Sequence, residues 1–358
     1  MFSGGMKLRS LASLLGGAVM LTACTDTDDL LALREHAPIP SDALQIMRSK
    51  GMTPRSPIML RIFKEEDVLE IWKQQDTGRY ELVKSYEICA HSGDLGPKFK
   101  EGDRQAPEGF YYIGRGQMNP RSSYHLSFNL GFPNAYDRSH GRTGSHLMVH
   151  GDCSSAGCYA MTDEGVAEIY AFARDALRGG IQQKFQVQAF PFRMTPENMA
   201  RYAEHRYFDY WTMLKEGYDH FELTRVPPNV DVCEKRYVFN QQSEGRFIAS
   251  ATCPEMEMPE GLRLAYERQQ KEHNERFEAE LARLNAEEEA KKVEVEQVEA
   301  EVPATQSAVE PAQPAVVNAA TTANTEAPSP AARPLDPFPA PPAALSIPTP
   351  ELISVQRP

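Results

Sequence analysis

Two cysteines, two histidines and a run of small residues sit together in "HLMVHGDCSSAGCYAMTDEG", His146 to Gly165. Three chemistries fit His146, His150, Cys153 and Cys158: a metal clip, a disulfide across a small loop, or a nucleophilic thiol beside an imidazole. Structural zinc takes four ligands, typically a Cys-x2–4-Cys pair with a second pair further on. No second close pair follows here, so no metal is expected, and no other cofactor. A Cys153–Cys158 disulfide would close a loop too short to stabilise much by chain entropy. A nucleophile demands more: an imidazole that favours the thiolate, a group that fixes its tautomer, and backbone N–H donors for the oxyanion. Two buried thiols beside a hydrogen-bonded His150 fit the spacing as well, so spacing alone leaves these readings open.

The elements that would position such a thiol are legible. "SHLMVHG" reads as a short buried strand ending at His150, and Ser155-Ala156-Gly157 as a turn before Cys158. From Thr162, an N-cap followed by acids, Val166, Ile169, Tyr170, Ala173 and Leu177 recur at helical spacing up to Gly179–Gly180. Upstream, the alternation of Ile58, Leu60, Ile62, Leu69, Ile71, Leu82, Val83, Tyr86 and Ile88 predicts a three-strand meander. Further strands are expected at Phe110–Ile113, Tyr124–Leu130 and "KFQVQAFPF". "TPENMARYAEHRYFDYWTMLKEGYDHFELTR" reads as helical with Pro196 in its first turn, and an extended piece follows. The fold class expected is α+β and β-rich.

The first residues bear on what the cysteines do. Lys7 and Arg9 precede an apolar run ending in small residues, the layout of a secretory signal. Its end, Leu21-Thr22-Ala23-Cys24, resembles the lipobox of bacterial lipoproteins, which implies a lipid on Cys24 and a membrane tether without a span. The protein is therefore expected in the periplasm, an oxidising space. There Cys233 and Cys253 have the means to pair, leaving Cys89 with Cys153 as its one mate or both as buried thiols. Formal net charge is −12, which disfavours a nucleic-acid partner. Between Glu255 and Glu301 fifteen acidic residues face seven basic ones, so the imbalance is concentrated in a charged helix, solvated or weakly coiled-coil, with a thin stripe of Tyr266, Phe277, Leu281 and Leu284. Thirteen of the 27 prolines fall in the last 56 residues, the composition of a disordered linker. The division expected is signal peptide 1–23, tether 24–55, core 56–190, a partly helical extension of the core 191–254, charged helix 255–302 and Pro/Ala-rich tail 303–358.

The pair His150-Gly151 followed by Ser155-x-Gly157-Cys158 resembles the active-site motif of L,D-transpeptidases with the YkuD fold, cysteine enzymes that act on peptidoglycan stem peptides. "EGDRQAPEGFYYI", "LGFPNAYDRSHG" and "VHGDCSSAGCYAMTDEG" are similar to its YafK-like murein transpeptidase branch, from about Ser56 to Asn240. The resemblance implies a YkuD-like catalytic core with Cys158 as nucleophile, His150 as general base and the Gly151 carbonyl as the group that orients the imidazole. It implies an oxyanion hole from the backbone N–H groups of Gly157, Cys158 and Tyr159. The implied reaction is acyl transfer through a thioester with a diaminopimelate-containing stem peptide, passed to an amine or to water in cell-wall remodelling. An amidase that cuts the peptidoglycan–lipoprotein linkage is the alternative, with a wall-linked lipoprotein as partner, since the branch includes such an enzyme; a non-catalytic wall-binding scaffold is the alternative of another class. Only seven residues separate His150 from Cys158, fewer than is usual in the family, with Ala156 in place of a second His and Ala160 in place of a polar residue. The acceptor side is thereby put in question. As substrate contacts, Arg138 and Arg142 offer guanidinium forks for a carboxylate; His140, His125 and Ser155 are the other candidates.

Overall fold

The computed structural model describes residues 34–301. The signal-like segment, Cys24 and the Pro/Ala-rich tail lie outside the described residues. After a short helix α1 (Ser41–Ser49) come the three strands of the expected meander, β1 (Ile58–Phe63), β2 (Val68–Gln74) and β3 (Tyr80–Glu87). The chain continues through β4 (Ala90–His91), β5 (Gly109–Gly114), β6 (Met118–Asn119), β7 (Ser127–Asn129), helix α2 (Ala135–Ser139), β8 (Met148–His150), β9 (Tyr159–Ala160), α3 (Asp163–Arg178) and β10 (Lys184–Phe190). One sheet runs β3-β2-β1-β10-β5 and the other β4-β9-β8-β7-β6. Two pairings are parallel, β1 with β10 and β8 with β9; the fold is mixed α+β, as expected.

Helix α3 contacts strands of both sheets, β1 and β10 in the first and β7 and β8 in the second. Its apolar residues Val166, Ile169, Tyr170, Ala173 and Leu177 share a core with Ile58, Leu60, Ile62, Phe128 and Val149. Its start is fixed by Thr162, whose hydroxyl accepts the Gly165 N–H at 3.0 Å, a cap contributing about 1 kcal/mol.

Strand β1 is buried at all six positions, not at alternate ones. The reason is the segment after β10. Helices α4 (Pro196–Arg201) and α5 (Phe208–Thr224) and the hairpin β11 (Val230–Cys233) and β12 (Arg236–Phe239) build a second core of Phe63, Phe110, Phe190, Trp211, Leu214 and Phe239. The expected single helix over this stretch is therefore corrected to two. Side chains hold the break: Tyr202 donates to Glu65 at 2.6 Å, and His205 stacks on Trp211 at 4.4 Å. The strand expected over Tyr124–Leu130 is shorter too, because His125 takes a left-handed backbone (φ 63°) that ends the ladder before Ser127.

Helix α6 (Glu260–Glu301) docks by its first half, with Tyr266 edge-on to His220 at 4.9 Å and Gln270 donating to Asp219 at 2.7 Å. Beneath it, burial raises the Glu216 carboxyl to about 7. A raised folded value means that this group's contribution is intact at low pH and is lost as pH rises past the ordinary carboxylate range toward 7. Glu216→Gln should therefore stabilise the protein at pH 8, on the order of 1–3 kcal/mol, and leave it unchanged at pH 4, read by urea unfolding at both. Equal effects at the two pH values would contradict this.

Candidate active site

Strand β8 ends at His150 and lies in register beside β9, with Val149 opposite Tyr159 and His150 opposite Ala160. Cys158, just before β9, is thereby carried to Met148. Its sulfur takes the Met148 N–H at 3.4 Å and donates to the His146 carbonyl at 3.5 Å. His150 is 4 % exposed, and its Nδ1 donates to the Gly151 carbonyl at 2.6 Å. That contact fixes a tautomer whose Nε2 is free to accept a proton. Among the described residues no hydrogen bond joins Nε2 to the Cys158 sulfur, so the thiol must leave Met148 and His146 to meet the imidazole; catalytic contacts often tighten only with substrate bound. Burial raises the Cys158 thiol above its ordinary value, while the Met148 N–H and the Lys98 ammonium pull it down. At rest it is a protonated thiol.

Gly151 sits where a side chain would crowd its neighbours. A Cβ there would come within 2.5 Å of an Asp163 oxygen and 3.1 Å of the Tyr124 carbonyl. Its N–H donates to Tyr124 O at 3.0 Å, and the adjoining Asp152 N–H donates to Asp163 at 3.0 Å, so the chain after His150 is bolted to the N-terminus of α3.

The cysteine question left open by spacing is answered here. Cys153 is bonded to Cys89 and Cys233 to Cys253, leaving Cys158 as the free thiol among the described residues. No Cys153–Cys158 bridge forms. The Cys89–Cys153 bond ties the loop between His150 and Cys158 to the residue preceding β4.

The expected oxyanion donors need correction. The N–H groups of Gly157 and Cys158 both donate to the Ser155 hydroxyl, at 3.2 and 3.0 Å, and that hydroxyl donates to the Cys158 carbonyl at 2.7 Å. Tyr159 is paired with strands on both sides. In this conformation the Ser155 hydroxyl holds the turn and engages two of the three N–H groups expected to face an oxyanion.

The substrate-contact candidates are scattered. Arg142 is buried, its Nη1 bonded to Asp137 at 2.8 Å and its guanidinium packed over Tyr136 and Tyr210, so burial stands against the carboxylate role expected for it, although its Nε has no hydrogen-bond partner among the described residues. His140 is turned to its own helix, Nδ1 on the Tyr136 carbonyl at 3.0 Å. Arg138 is exposed and donates to the Pro133 carbonyl. His125 reaches Asp163 at 3.5 Å, behind Gly151.

Sequence reasoning missed three neighbours. Lys98, in the loop before β5, pairs with Asp103 and draws the Cys158 thiol down. Asp163 was read simply as a first-turn acid. Tyr124 lays its ring on the His150 imidazole, centroids 4.8 Å apart. No local pattern marks any of the three, since each reaches the site through the tertiary fold.

A model of the YkuD L,D-transpeptidase catalytic domain matches residues 61–212. A protein of Escherichia coli strain K12 named "Putative L,D-transpeptidase YafK" is 41 % identical over 254 residues, covering 71 % of this chain and 99 % of that one. Its counterpart in Escherichia coli O157:H7 matches equally well. The crystal structure of the helical cell shape determining protein Pgp2 from Campylobacter jejuni matches 53 % of this chain and 79 % of its own at 17 % identity, with a TM-score of 0.31, too low to support any statement about this chain.

Proposed function

The chain belongs to the L,D-transpeptidase family with the YkuD catalytic domain, whose members act on peptidoglycan stem peptides, and from that premise we propose that Cys158 and His150 carry acyl transfer through a thioester. The observation that carries the proposal is the state of the cysteines. Of the five within the described residues, four are bonded, and the free one directly precedes the strand paired with the one that ends at His150, whose Nδ1–H is held by the Gly151 carbonyl. His150 Nε2 takes the thiol proton, the sulfur attacks the carbonyl carbon of a diaminopimelate residue, and the C–N bond breaks as the proton passes to the leaving amine. The thioester then passes to an amine, giving a crosslink, or to water, giving hydrolysis. A donor bond to a lipoprotein lysine would make the same steps a detachment reaction. We place the protein in the periplasm, tethered through a lipid on Cys24.

Incubation with free and with lipoprotein-linked muropeptides, followed by mass analysis of the products, tests the proposal and names the acceptor. Crosslinked, trimmed or lipoprotein-free products support it; unchanged substrates in every case would leave the wall-binding scaffold.

The Cys89–Cys153 bond closes a long loop and is expected to contribute about 2–4 kcal/mol. The double variant Cys89→Ala/Cys153→Ala should unfold earlier in denaturant yet still form the acyl-enzyme at a temperature where it is folded. Loss of acylation in the folded variant would make the bond part of the chemistry.

A further inference from the structure

His150 is held by more than its own carbonyl contact. The Tyr124 ring lies on the imidazole at 4.8 Å with 38° between planes, and the residue is nonetheless 46 % exposed. Its backbone is locked on both sides: its N–H donates to the Ser122 hydroxyl at 3.1 Å and its carbonyl accepts the Gly151 N–H at 3.0 Å. The next residue, His125, holds a left-handed backbone and pairs with Asp163, which also receives the Asp152 N–H. Tyr124, His125, Gly151 and Asp163 thus form one packed unit behind the imidazole. A large aromatic left half in solvent is normally free to rotate, and fixing it costs side-chain entropy.

We propose that Tyr124 is a positioning residue, its ring face fixing the plane of His150 so that Nε2 is directed at the Cys158 thiol. The inference rests on the proposed roles of Cys158 and His150 and adds a residue to them. The Nδ1 bond to Gly151 fixes one end of the imidazole but leaves it free to tilt about that contact. The Tyr124 ring against its face, inclined at 38°, limits that tilt. The effect comes from the ring face, so phenylalanine should serve in its place and alanine should not. Because the side chain is half in solvent, Tyr124→Ala opens no core cavity, and the fold is expected to survive it. The charged groups around the pair are Asp163, Asp152 and His125 behind Gly151 and Lys98 on the thiol side, and none of them is altered by these variants.

The test is the rate of Cys158 alkylation by iodoacetamide as a function of pH, for the full chain and its Tyr124→Ala, Tyr124→Phe and His150→Ala variants, with circular dichroism to show each is folded. The expected result is that Tyr124→Ala loses on the order of tenfold at neutral pH, a part of what a general base supplies, and that its rate rises to the unaltered chain's only at alkaline pH. Tyr124→Phe should stay within about twofold. A Tyr124→Ala profile that superimposes on the unaltered chain's, or a Tyr124→Phe loss as large as that of Tyr124→Ala, overturns the inference. A His150→Ala profile equal to the unaltered chain's overturns the base assignment beneath it, a distinct outcome.

Discussion

Cys158→Ala is expected to abolish acyl-enzyme formation and lower turnover of stem-peptide substrates by about 10^4-fold or more, the scale on which a nucleophile of a concerted catalytic group acts. The loss should appear in kcat and not in substrate binding, since the thiol is small and partly shielded. His150→Ala should fall almost as far, and the double variant no further, because neither group performs its step without the other. A double variant that loses the product of the single effects would mean that the two residues act independently. The resting thiol is pushed up by burial, so activity is expected to rise with pH as the thiolate becomes easier to form.

The second large effect is on stability. Glu108 and Lys64 are both fully buried and bonded to each other at 3.1 Å. The Glu108 carboxylate also accepts the Gly96 N–H at 2.6 Å and the Trp211 indole N–H at 2.9 Å, while the Lys64 ammonium donates to the Asp94, Gly96 and Ala106 carbonyls. This hub ties β1 and α5 to the loop 92–107, which carries Lys98 and lies against the turn before Cys158, where the Gln105 carbonyl is 3.8 Å from the place a Gly157 Cβ would take. Glu108→Ala strands a buried ammonium and should cost about 3–5 kcal/mol. Lys64→Met/Glu108→Leu, which removes both charges, should cost less than Glu108→Ala alone. Urea unfolding of the three chains checks this; a double variant worse than the single would place the stabilisation in the ion pair itself.

How much of this was legible in the sequence depends on the range of the interactions. The meander, the Thr162-capped helix and the buried strand ending at His150 were readable because their periods and caps are local. The double burial of β1 was not, because it arises from α5 covering the face opposite α3, more than a hundred residues away in sequence. The break between α4 and α5 rests on Tyr202 and His205 finding Glu65 and Trp211, which no helical periodicity reports. At the site, "HGDCSSAGC" offered a thiol and an imidazole as candidates, and its resemblance to the family motif, not its spacing, singled out Cys158 and His150. The same stretch could not reveal that Cys153 belongs to Cys89, that Ser155 occupies the N–H groups of the turn, or that Arg142 is buried against Asp137. Each of those is a choice among several polar partners, decided by where the second sheet sets them.

The most direct test of acyl transfer at Cys158 is the intact mass of the protein after mixing with a diaminopimelate stem-peptide donor and rapid acid quench, with the peptide containing Cys158 then sequenced by fragmentation. Acyl transfer at Cys158 gives an added mass equal to the donor less its leaving group, carried on Cys158, lost on treatment with hydroxylamine and absent from Cys158→Ala. An unmodified Cys158 while substrate is being consumed, or the same adduct on Cys158→Ala, would contradict it.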